Sequence, residues 1–309
     1  NHLQDLKGNN DILCLTRPDI VKEIHHAYFD AGADMVETNT FNANAISQLD
    51  YATQALSYEI NLEAAKIAKE VTRSYSVKPR YVAGAMGPTN KTASLSPDVN
   101  QPGFRNISFD ELKETYYYQA KGLLDGGVDC FLIETVFDTL NCKAALFALG
   151  SLLEERNTEI PIFVSGTITD ASGRTLSGQT VEAFWHSIRH ANLTAVGLNC
   201  ALGAEEIRPW LSELSQTADI PVFAYPNAGL PNEFGEYDQT PEEMAIIIKE
   251  FAENGLVNLV GGCCGTTPDH IESITDVINK IEPRTIPNID PLTKLSGLEP
   301  LIIRSDSNF

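Results

Sequence analysis

Short apolar segments alternate with longer amphipathic segments along almost the whole chain. The apolar segments are rich in Val, Ile and Phe and mostly lack period-two alternation, which is typical of strands that are covered on both faces. The pattern predicts seven such strands, at residues 35–38, 81–85, 130–134, 162–166, 195–199, 222–225 and 256–260.

The amphipathic segments predict eight helices between these strands. Their approximate spans are 17–31, 56–73, 108–126, 138–156, 180–191, 204–216, 241–254 and 268–281. Several begin with a recognisable start signal, such as Ser108 with Glu111 three residues later, the spacing of a capping box. Repeated strand–helix units favour a parallel sheet with right-handed crossovers.

The order of these elements predicts the fold class. It begins with a helix and contains one more helix than strands, so we predict an α/β (β/α)8 TIM-type barrel that lacks its first strand in this chain. The alternative is a doubly wound open sheet, which would favour a G-x-G-x-x-G turn after its first strand, and none occurs here. The predicted barrel spans residues 1–281, and the proline-containing segment 282–309 is predicted to be a C-terminal linker.

Composition and charge narrow the classes of partner. The chain has 309 residues and a net charge of −20, with no cluster of Lys and Arg, so we expect no nucleic-acid partner. No stretch reaches the roughly 18 apolar residues of a membrane helix, so we expect no membrane partner. Residues 1–10 are polar rather than signal-like, and six cysteines in so long a chain favour a reduced, cytoplasmic protein.

Loop lengths predict the functional face. Helix-to-strand connections are only a few residues long, whereas strand-to-helix connections are long, at about 39–55, 86–107, 167–179 and 226–240. In (β/α) barrels the connections that follow the strands form the catalytic face.

Three cysteines follow predicted strands on that face. Cys200 follows strand 195–199, and Cys263 and Cys264 follow strand 256–260 in a glycine-rich loop. Three thiolates suit zinc, and a catalytic zinc site keeps one position open. Neighbouring residues of a regular strand point to opposite faces, so the adjacent pair can share a metal only if the glycines around it allow a turn. The alternative is a buried small residue at 200 and an incidental or redox-active pair.

The remaining cysteines and histidines suggest less chemistry. Cys130 lies in a predicted strand and Cys142 in a predicted helix, and we expect both to pack in the core. Cys14 lies near the start of the sequence and is expected to be incidental. No H-x-x-x-H zinc pattern occurs, and no Ser-His-Asp arrangement can be argued.

Polar residues at other strand ends are candidates for substrate binding. The Glu134 carboxylate could bind an ammonium group, or form a rim salt bridge or cap. Asn227 lies between the cysteine strands, and its amide could meet the metal or the substrate. The other substrate-binding candidates are Asn39, Ser165, Gly166, Thr167 and Asn199.

Seven segments carry a resemblance to a known family: residues 37–41, 87–90, 133–140, 165–170, 197–203, 226–231 and 261–268. In these segments the chain resembles the homocysteine-binding domains of cobalamin-dependent methionine synthases, within the homocysteine S-methyltransferase family. The resemblance runs from about residue 10 to residue 300. The three cysteine positions are shared with betaine–homocysteine methyltransferases, whereas loop 168–180 and segment 295–301 resemble methionine synthases alone.

The resemblance implies a complete set of expectations. Zn²⁺ is held by Cys200, Cys263 and Cys264 as the catalytic centre, and the homocysteine sulfur displaces Asn227 from the fourth position. Glu134 engages the substrate amino group. Methylcobalamin, bound by a separate cobalamin-binding domain, donates the methyl group and methionine forms. The expected enzyme is thus a methyltransferase of the 5-methyltetrahydrofolate–homocysteine type, and residues 282–309 lead toward a folate-binding domain.

One departure from the family pattern concerns the start of the barrel. The family's opening Asp-Gly-Ala-Met-Gly-Thr strand has no counterpart here, in agreement with the count of seven strands. We therefore expect a fragment of a larger multidomain enzyme, which without that strand is less stable and holds zinc less tightly. Two alternatives remain: a homocysteine methyltransferase that uses betaine or S-methylmethionine directly, and a non-catalytic barrel with structural zinc or redox cysteines.

Overall fold

A computed structural model describes residues 4–308 of the protein. The chain divides into two compact units. The first comprises Asn1–Glu134 and Leu140–Ile162, and the second comprises Thr135–Thr139 and Phe163–Phe309.

The first unit contains three parallel strands in chain order, with Val36 beside Val82 and Ala85 beside Leu132. The strands are β1 (Met35–Glu37), β2 (Tyr81–Met86) and β3 (Cys130–Val136), the last two residues of β3 belonging to the second unit. The helices are α1 (Leu13–Thr16), α2 (Pro18–Asp30), α3 (Ala45–Gln48), α4 (Ser57–Thr72), α5 (Phe109–Gly126) and α6 (Thr139–Arg156). The predicted capping box opens α5, where Ser108 and Glu111 bond each other's backbone N–H groups.

The second unit contains four parallel strands, again in chain order, with Val164 beside Val196 and Leu198 beside Ala224. They are β4 (Ile162–Gly166), β5 (Ala195–Gly203), β6 (Val222–Asn227) and β7 (Leu259–Val260). The helices are α7 (Val181–Ile188), α8 (Ala204–Thr217), α9 (Pro241–Glu253) and α10 (Pro268–Ile278). An antiparallel hairpin of β8 (Lys294–Ser296) and β9 (Pro300–Ile302) follows.

Strand burial confirms the predicted α/β class. Residues 82–86 of β2 and all of β6 are buried, as expected for strands covered on both faces. Within residues 4–308 these parallel strands number seven, three in the first unit and four in the second. None of the described helices has the length and apolar character needed to cross a membrane.

The structure differs from the sequence prediction mainly at element ends. β5 continues past residue 199 to Gly203, because a bulge lets it keep pairing with β6. β7 begins at Leu259 rather than at 256, since the Val257 carbonyl accepts a hydrogen bond from Arg284 N instead of joining the sheet. The Arg284 side chain is buried and donates to the Ser215 and Ala218 carbonyls near the end of α8.

Candidate metal centre

Three cysteine sulfurs converge in the second unit. Cys264 Sγ lies 3.8 Å from Cys200 Sγ and 3.9 Å from Cys263 Sγ, and all three lie within 4.8 Å of one another. A tetrahedral zinc ion with Zn–S bonds near 2.3 Å would hold its sulfurs about 3.8 Å apart. Among residues 4–308 no other group of three His, Cys, Asp or Glu side chains converges in this way.

A bulge in β5 directs Cys200 into this cluster. Asn199 pairs with Tyr225 of β6, but the next paired residue is Gly203, so β5 contains two more residues than β6 over this stretch. Cys200 and Ala201 both adopt left-handed backbone conformations, with φ of 58° and 56°. Such conformations are uncommon outside glycine, and bulges commonly redirect a side chain next to an active site.

The backbone also turns between Cys263 and Cys264. Cys263 N still donates to the Pro226 carbonyl of β6, at 2.8 Å, as a continuing parallel strand would. Cys264 N donates instead to the side-chain Oδ1 of Asn227, at 3.1 Å, and Gly265 then takes a φ of 78°. The turn brings both sulfurs to the same side of the loop.

Hydrogen bonds within the cluster polarise the three thiols. Those from Cys200 and Cys263 lower the pKa of Cys264, the exposed member. Hydrogen bonds to Cys200 and Cys264, together with burial, raise the pKa of Cys263. One thiolate is therefore easily formed, whereas a second and third need a neighbouring cation to offset their mutual repulsion.

A buried network of hydrogen bonds around the Asn199 amide lies next to the cysteine cluster. Asn199 is fully buried, and its Oδ1 accepts from Ser165 Oγ at 2.7 Å and from Thr135 N at 3.0 Å. Its Nδ2 donates to Thr135 Oγ1 at 2.9 Å and lies 4.0 Å from Cys263 Sγ. Ser165 Oγ also lies 2.6 Å from the Tyr225 hydroxyl. The amide that precedes Cys200 is thereby held in one orientation.

Thr135 makes this network possible through an unusual backbone conformation. Its φ is 56°, which is rare for a β-branched residue. Strain of this kind persists only where the surroundings fix it, and here both the N–H and the hydroxyl of Thr135 bond Asn199.

The predicted substrate-binding residues at the end of β4 make hydrogen bonds and packing contacts with other residues of the protein. Thr167 is buried, its Oγ1 donates to the Asn199 carbonyl at 3.0 Å, and Ser165 bonds the Asn199 side chain. A Cβ at Gly166 would lie 2.9 Å from the Phe184 ring, so α7 packs directly against this glycine. In the structure these residues support Asn199 and α7, and direct binding of substrate by them stays a prediction.

Asn227 lies next to the cysteine loop, and its side chain is hydrogen-bonded to the backbone of that loop. The side chain is almost fully buried, and its Oδ1 accepts from Cys264 N. This contact holds the turn between the two cysteines. A role for Asn227 as a fourth metal ligand stays a prediction.

Glu134 and Asn39 belong to the first unit. Glu134 is buried near the end of β3, directly before Thr135 in the chain. Asn39 Nδ2 donates to the Asn10 carbonyl at 2.8 Å and lies 3.6 Å from Cys14 Sγ. Their proposed contacts with substrate stay predictions.

Sequence reasoning missed three residues around the cluster: Thr135, Tyr225 and Tyr237. The sequence places the first two beside predicted strand ends, and that position could have marked them as candidates. Tyr237 lies in the long connection after β6, and its side chain packs against Gly265, the residue that follows Cys264. No local pattern points to that contact, because it depends on the path of the loop.

Comparisons with known proteins concern the sequence and the fold. The sequence model of the family described as homocysteine S-methyltransferase matches residues 1–278. A crystal structure of the homocysteine methyltransferase MmuM from Escherichia coli, oxidised form, matches with a TM-score of 0.70 at 21% identity, covering 89% of this chain and 90% of that chain. Its metallated form matches with a TM-score of 0.67 at 22% identity, with the same coverage.

A more distant match is a B12-independent methionine synthase from Shewanella sp. W3-18-1 in complex with selenomethionine. Its TM-score is 0.50 at 14% identity, covering 90% of this chain and 89% of that chain. At these identities the structural likeness concerns the fold. The shared fold is consistent with the predicted TIM-type barrel, of which seven strands lie within residues 4–308.

Proposed function

Because the chain belongs to the homocysteine S-methyltransferase family, we propose that it activates the sulfur of homocysteine at a zinc ion for methyl transfer, giving methionine. The observation that carries the proposal is the convergence of three cysteine sulfurs within 4.8 Å of one another. Zinc would be held by Cys200, Cys263 and Cys264.

The donor set suits zinc in number, chemistry and spacing. Thiolates are soft ligands that favour zinc over magnesium, calcium or manganese, and the sulfur separations of 3.8 and 3.9 Å match a tetrahedral site. A structural zinc site normally has four protein ligands, but the described His, Cys, Asp and Glu side chains supply three to this cluster. The fourth position is therefore available to a substrate sulfur.

Zinc in this position would lower the pKa of a thiol bound beside the three cysteines and keep its sulfur as a nucleophilic thiolate at neutral pH. The protein's own residues hold the geometry for that task. Asn199, fixed by Ser165 and Thr135, orients the backbone before Cys200. The Asn227 side chain fixes the turn at Cys264, the exposed cysteine and hence the open side of the cluster.

Glu134 is proposed to bind the substrate ammonium group. A carboxylate bonded to an ammonium forms a charge-assisted hydrogen bond, which is stronger than a neutral one. Glu134 is buried near the end of β3, and the next residue, Thr135, bonds Asn199 of the support network. The resemblance to homocysteine-binding domains supports this role.

The proposed methyl donor is methylcobalamin, bound by a separate domain, with a folate-binding domain as a further partner. The support is the resemblance of loop 168–180 and segment 295–301 to methionine synthases. These two segments contact each other, through Thr180 N and the Leu298 carbonyl at 3.1 Å and through an ion pair between Arg174 and Glu299. Direct transfer from betaine or S-methylmethionine is the second candidate, supported by the resemblance of the three cysteine positions to those of betaine–homocysteine methyltransferases.

Metal analysis and donor assays test the proposal together. We expect about one zinc per chain, lost in Cys200→Ser, and a fourth sulfur neighbour in the zinc X-ray absorption spectrum after homocysteine is added. Methionine should then form from methylcobalamin. Formation only from S-methylmethionine or betaine would replace the proposed donor. An unchanged sulfur count would favour structural zinc, and absence of bound metal would favour a redox role.

A further inference from the structure

The antiparallel hairpin of β8 and β9 lies against α7 and against the connection between β4 and α7, residues 167–180. Ser296 Oγ, in β8, donates to the Ala183 carbonyl of α7 at 2.6 Å. At the hairpin turn, the Leu298 carbonyl accepts from Thr180 N at 3.1 Å. The hairpin is therefore attached to the connection as well as to the helix.

Gln179 joins the hairpin to the end of this connection. Its side chain is buried, and its Nε2 donates to the Gly297 carbonyl of the hairpin turn and to Ser187 Oγ of α7, both at 2.9 Å. Its Oε1 accepts from Thr139 Oγ1, at the start of α6, at 2.6 Å. One buried amide thus pairs with three separate segments, and the loss of a partner would leave a buried polar group unsatisfied.

Polar contacts, more than apolar burial, hold the connection in place. Thr175 N donates to the Gln179 carbonyl at 2.9 Å, which closes a turn within the connection. Gly173 packs on the Trp210 ring of α8, but Leu176, the one large apolar side chain between residues 169 and 179, is 55% exposed. A segment with so little buried apolar surface opens easily unless neighbouring groups hold it.

We propose that the hairpin is a strap that keeps the β4–α7 connection closed, and that the Gln179 amide is its central contact. The connection follows β4 directly, where Thr167 Oγ1 donates to the Asn199 carbonyl next to Cys200. A segment or partner that drew the hairpin away would free residues 169–179 and loosen the protein beside the cysteine cluster. The strap concerns the fold of the connection and is independent of the proposed function.

An ion pair adds a second contact between the strap and the connection. The Arg174 guanidinium bonds the Glu299 carboxylate and donates to the Gly178 carbonyl at 2.8 Å. Both charged side chains are partly exposed, so the pair by itself contributes little. Arg174 is also a site for trypsin, which makes it a local probe of whether the connection is open.

Two substitutions in the full chain test the strap from its two sides. Gln179→Ala removes the amide from the connection, and Ser296→Ala removes a hydroxyl from the hairpin, 117 positions away in the chain. In each variant we expect trypsin to cleave the native protein after Arg174 about tenfold faster, because cleavage follows the population of the open loop. Hydrogen exchange of the Thr175 and Ser177 amides should become faster by a similar factor.

Two controls accompany these variants. Cleavage after Arg105, in the exposed connection before α5, should be unchanged in every variant. Ser151→Ala is the matched serine control, since it removes an exposed hydroxyl that is bonded within α6. It should leave exchange at residues 169–179 as in the wild type.

Each outcome decides for or against the strap. If Gln179→Ala loosens the connection and Ser296→Ala does not, the hairpin is not what holds it, and the proposal is wrong. Rates equal to wild type in both variants overturn it as well. A rise that extends equally over α7 also overturns it, because the whole region would then be unfolding. Should Gln179→Ala fail to fold, Ser296→Ala decides alone.

Discussion

Cysteines of the two units lie in opposite environments. In the first unit, burial raises the pKa of Cys14 and of Cys130 to about 12, so both remain neutral thiols. In the second unit, hydrogen bonds from Cys200 and Cys263 lower the pKa of Cys264. The residue type is the same, and the comparison shows that its surroundings decide whether a cysteine packs or reacts.

The surroundings differ because of where the backbone places each sulfur. Cys14 belongs to a cluster with Val21, Ala64 and Ile67, where it fills space as a small apolar residue. Cys130 begins β3 inside the sheet and is 2% exposed. The reactive cysteines instead lie in the bulge of β5 and in the glycine-rich loop after β7, where the chain is free from the two-residue alternation of a regular strand.

The largest expected difference between the buried cysteines of the first unit and Cys264 is in their rate of alkylation. At pH 8 a thiol of pKa about 12 is ionised in about one molecule in 10⁴, whereas an ordinary cysteine is ionised in about a quarter. In the native metal-free chain, iodoacetamide should therefore modify Cys14 and Cys130 at least about 10³-fold more slowly than Cys264, as peptide mass spectrometry can measure.

The pH dependence of alkylation sharpens this prediction. Raising the pH from 8 to 9 should increase the rates at Cys14 and Cys130 about tenfold, because their thiolate fraction lies far below saturation. The rate at Cys264 should rise by a smaller factor, because hydrogen bonds from Cys200 and Cys263 lower its pKa. Equal rates for all three in a natively folded chain would contradict the comparison.

The next largest effect is expected on metal binding. Cys264→Ser removes one of three thiolates and should reduce zinc affinity by more than about 100-fold, since outer-shell changes alone cost 10–100-fold. Chelator competition and zinc analysis of the purified variant measure this.

Cys142→Ala is the matched control for that variant. Cys142 is 2% exposed in α6, and its replacement should leave zinc content and affinity unchanged. If Cys142→Ala also lost zinc, or Cys264→Ser kept it, the division into packing and ligating cysteines would be wrong.

A smaller effect is expected when the hydrogen bonds of Asn199 next to the cysteine cluster are removed. Asn199→Ala leaves the half-buried Thr135 N–H and hydroxyl without their partner, and a group left unsatisfied away from water costs about 1–3 kcal/mol. We expect the free energy of unfolding to fall by about 2–3 kcal/mol, measured by urea denaturation, with weaker zinc binding. Asn106→Ala, at an exposed asparagine, should change stability by less than about 0.5 kcal/mol. Equal stability of the two variants would show that the network is dispensable.

The smallest effect concerns substrate rather than metal. Glu134→Gln should weaken homocysteine binding about tenfold, since a hydrogen bond to a charged group contributes about 1.5–3 kcal/mol, and should leave zinc content unchanged. Isothermal titration of the zinc-loaded protein measures it, with the exposed Glu154→Gln as control. Unchanged affinity would make Glu134 a structural residue of β3.

Much of the chain could be predicted from the sequence by itself. Helices such as α4, α5 and α6 begin and end within about one residue of their predicted spans. Periodicity, capping residues and apolar runs act over a few neighbouring residues, so they can be recognised without knowledge of the fold. The positions of the three strand-end cysteines, and hence the candidate donor set, follow from the same local pattern.

Tertiary structure alone decided how those residues act. The bulge that aims Cys200 depends on the register between β5 and β6, and the strained Thr135 is stable only because Asn199 binds it. The packing of Tyr237 against Gly265 depends on where a long loop returns. Register, strain and loop path arise from residues far apart in the chain, where local propensity carries no information.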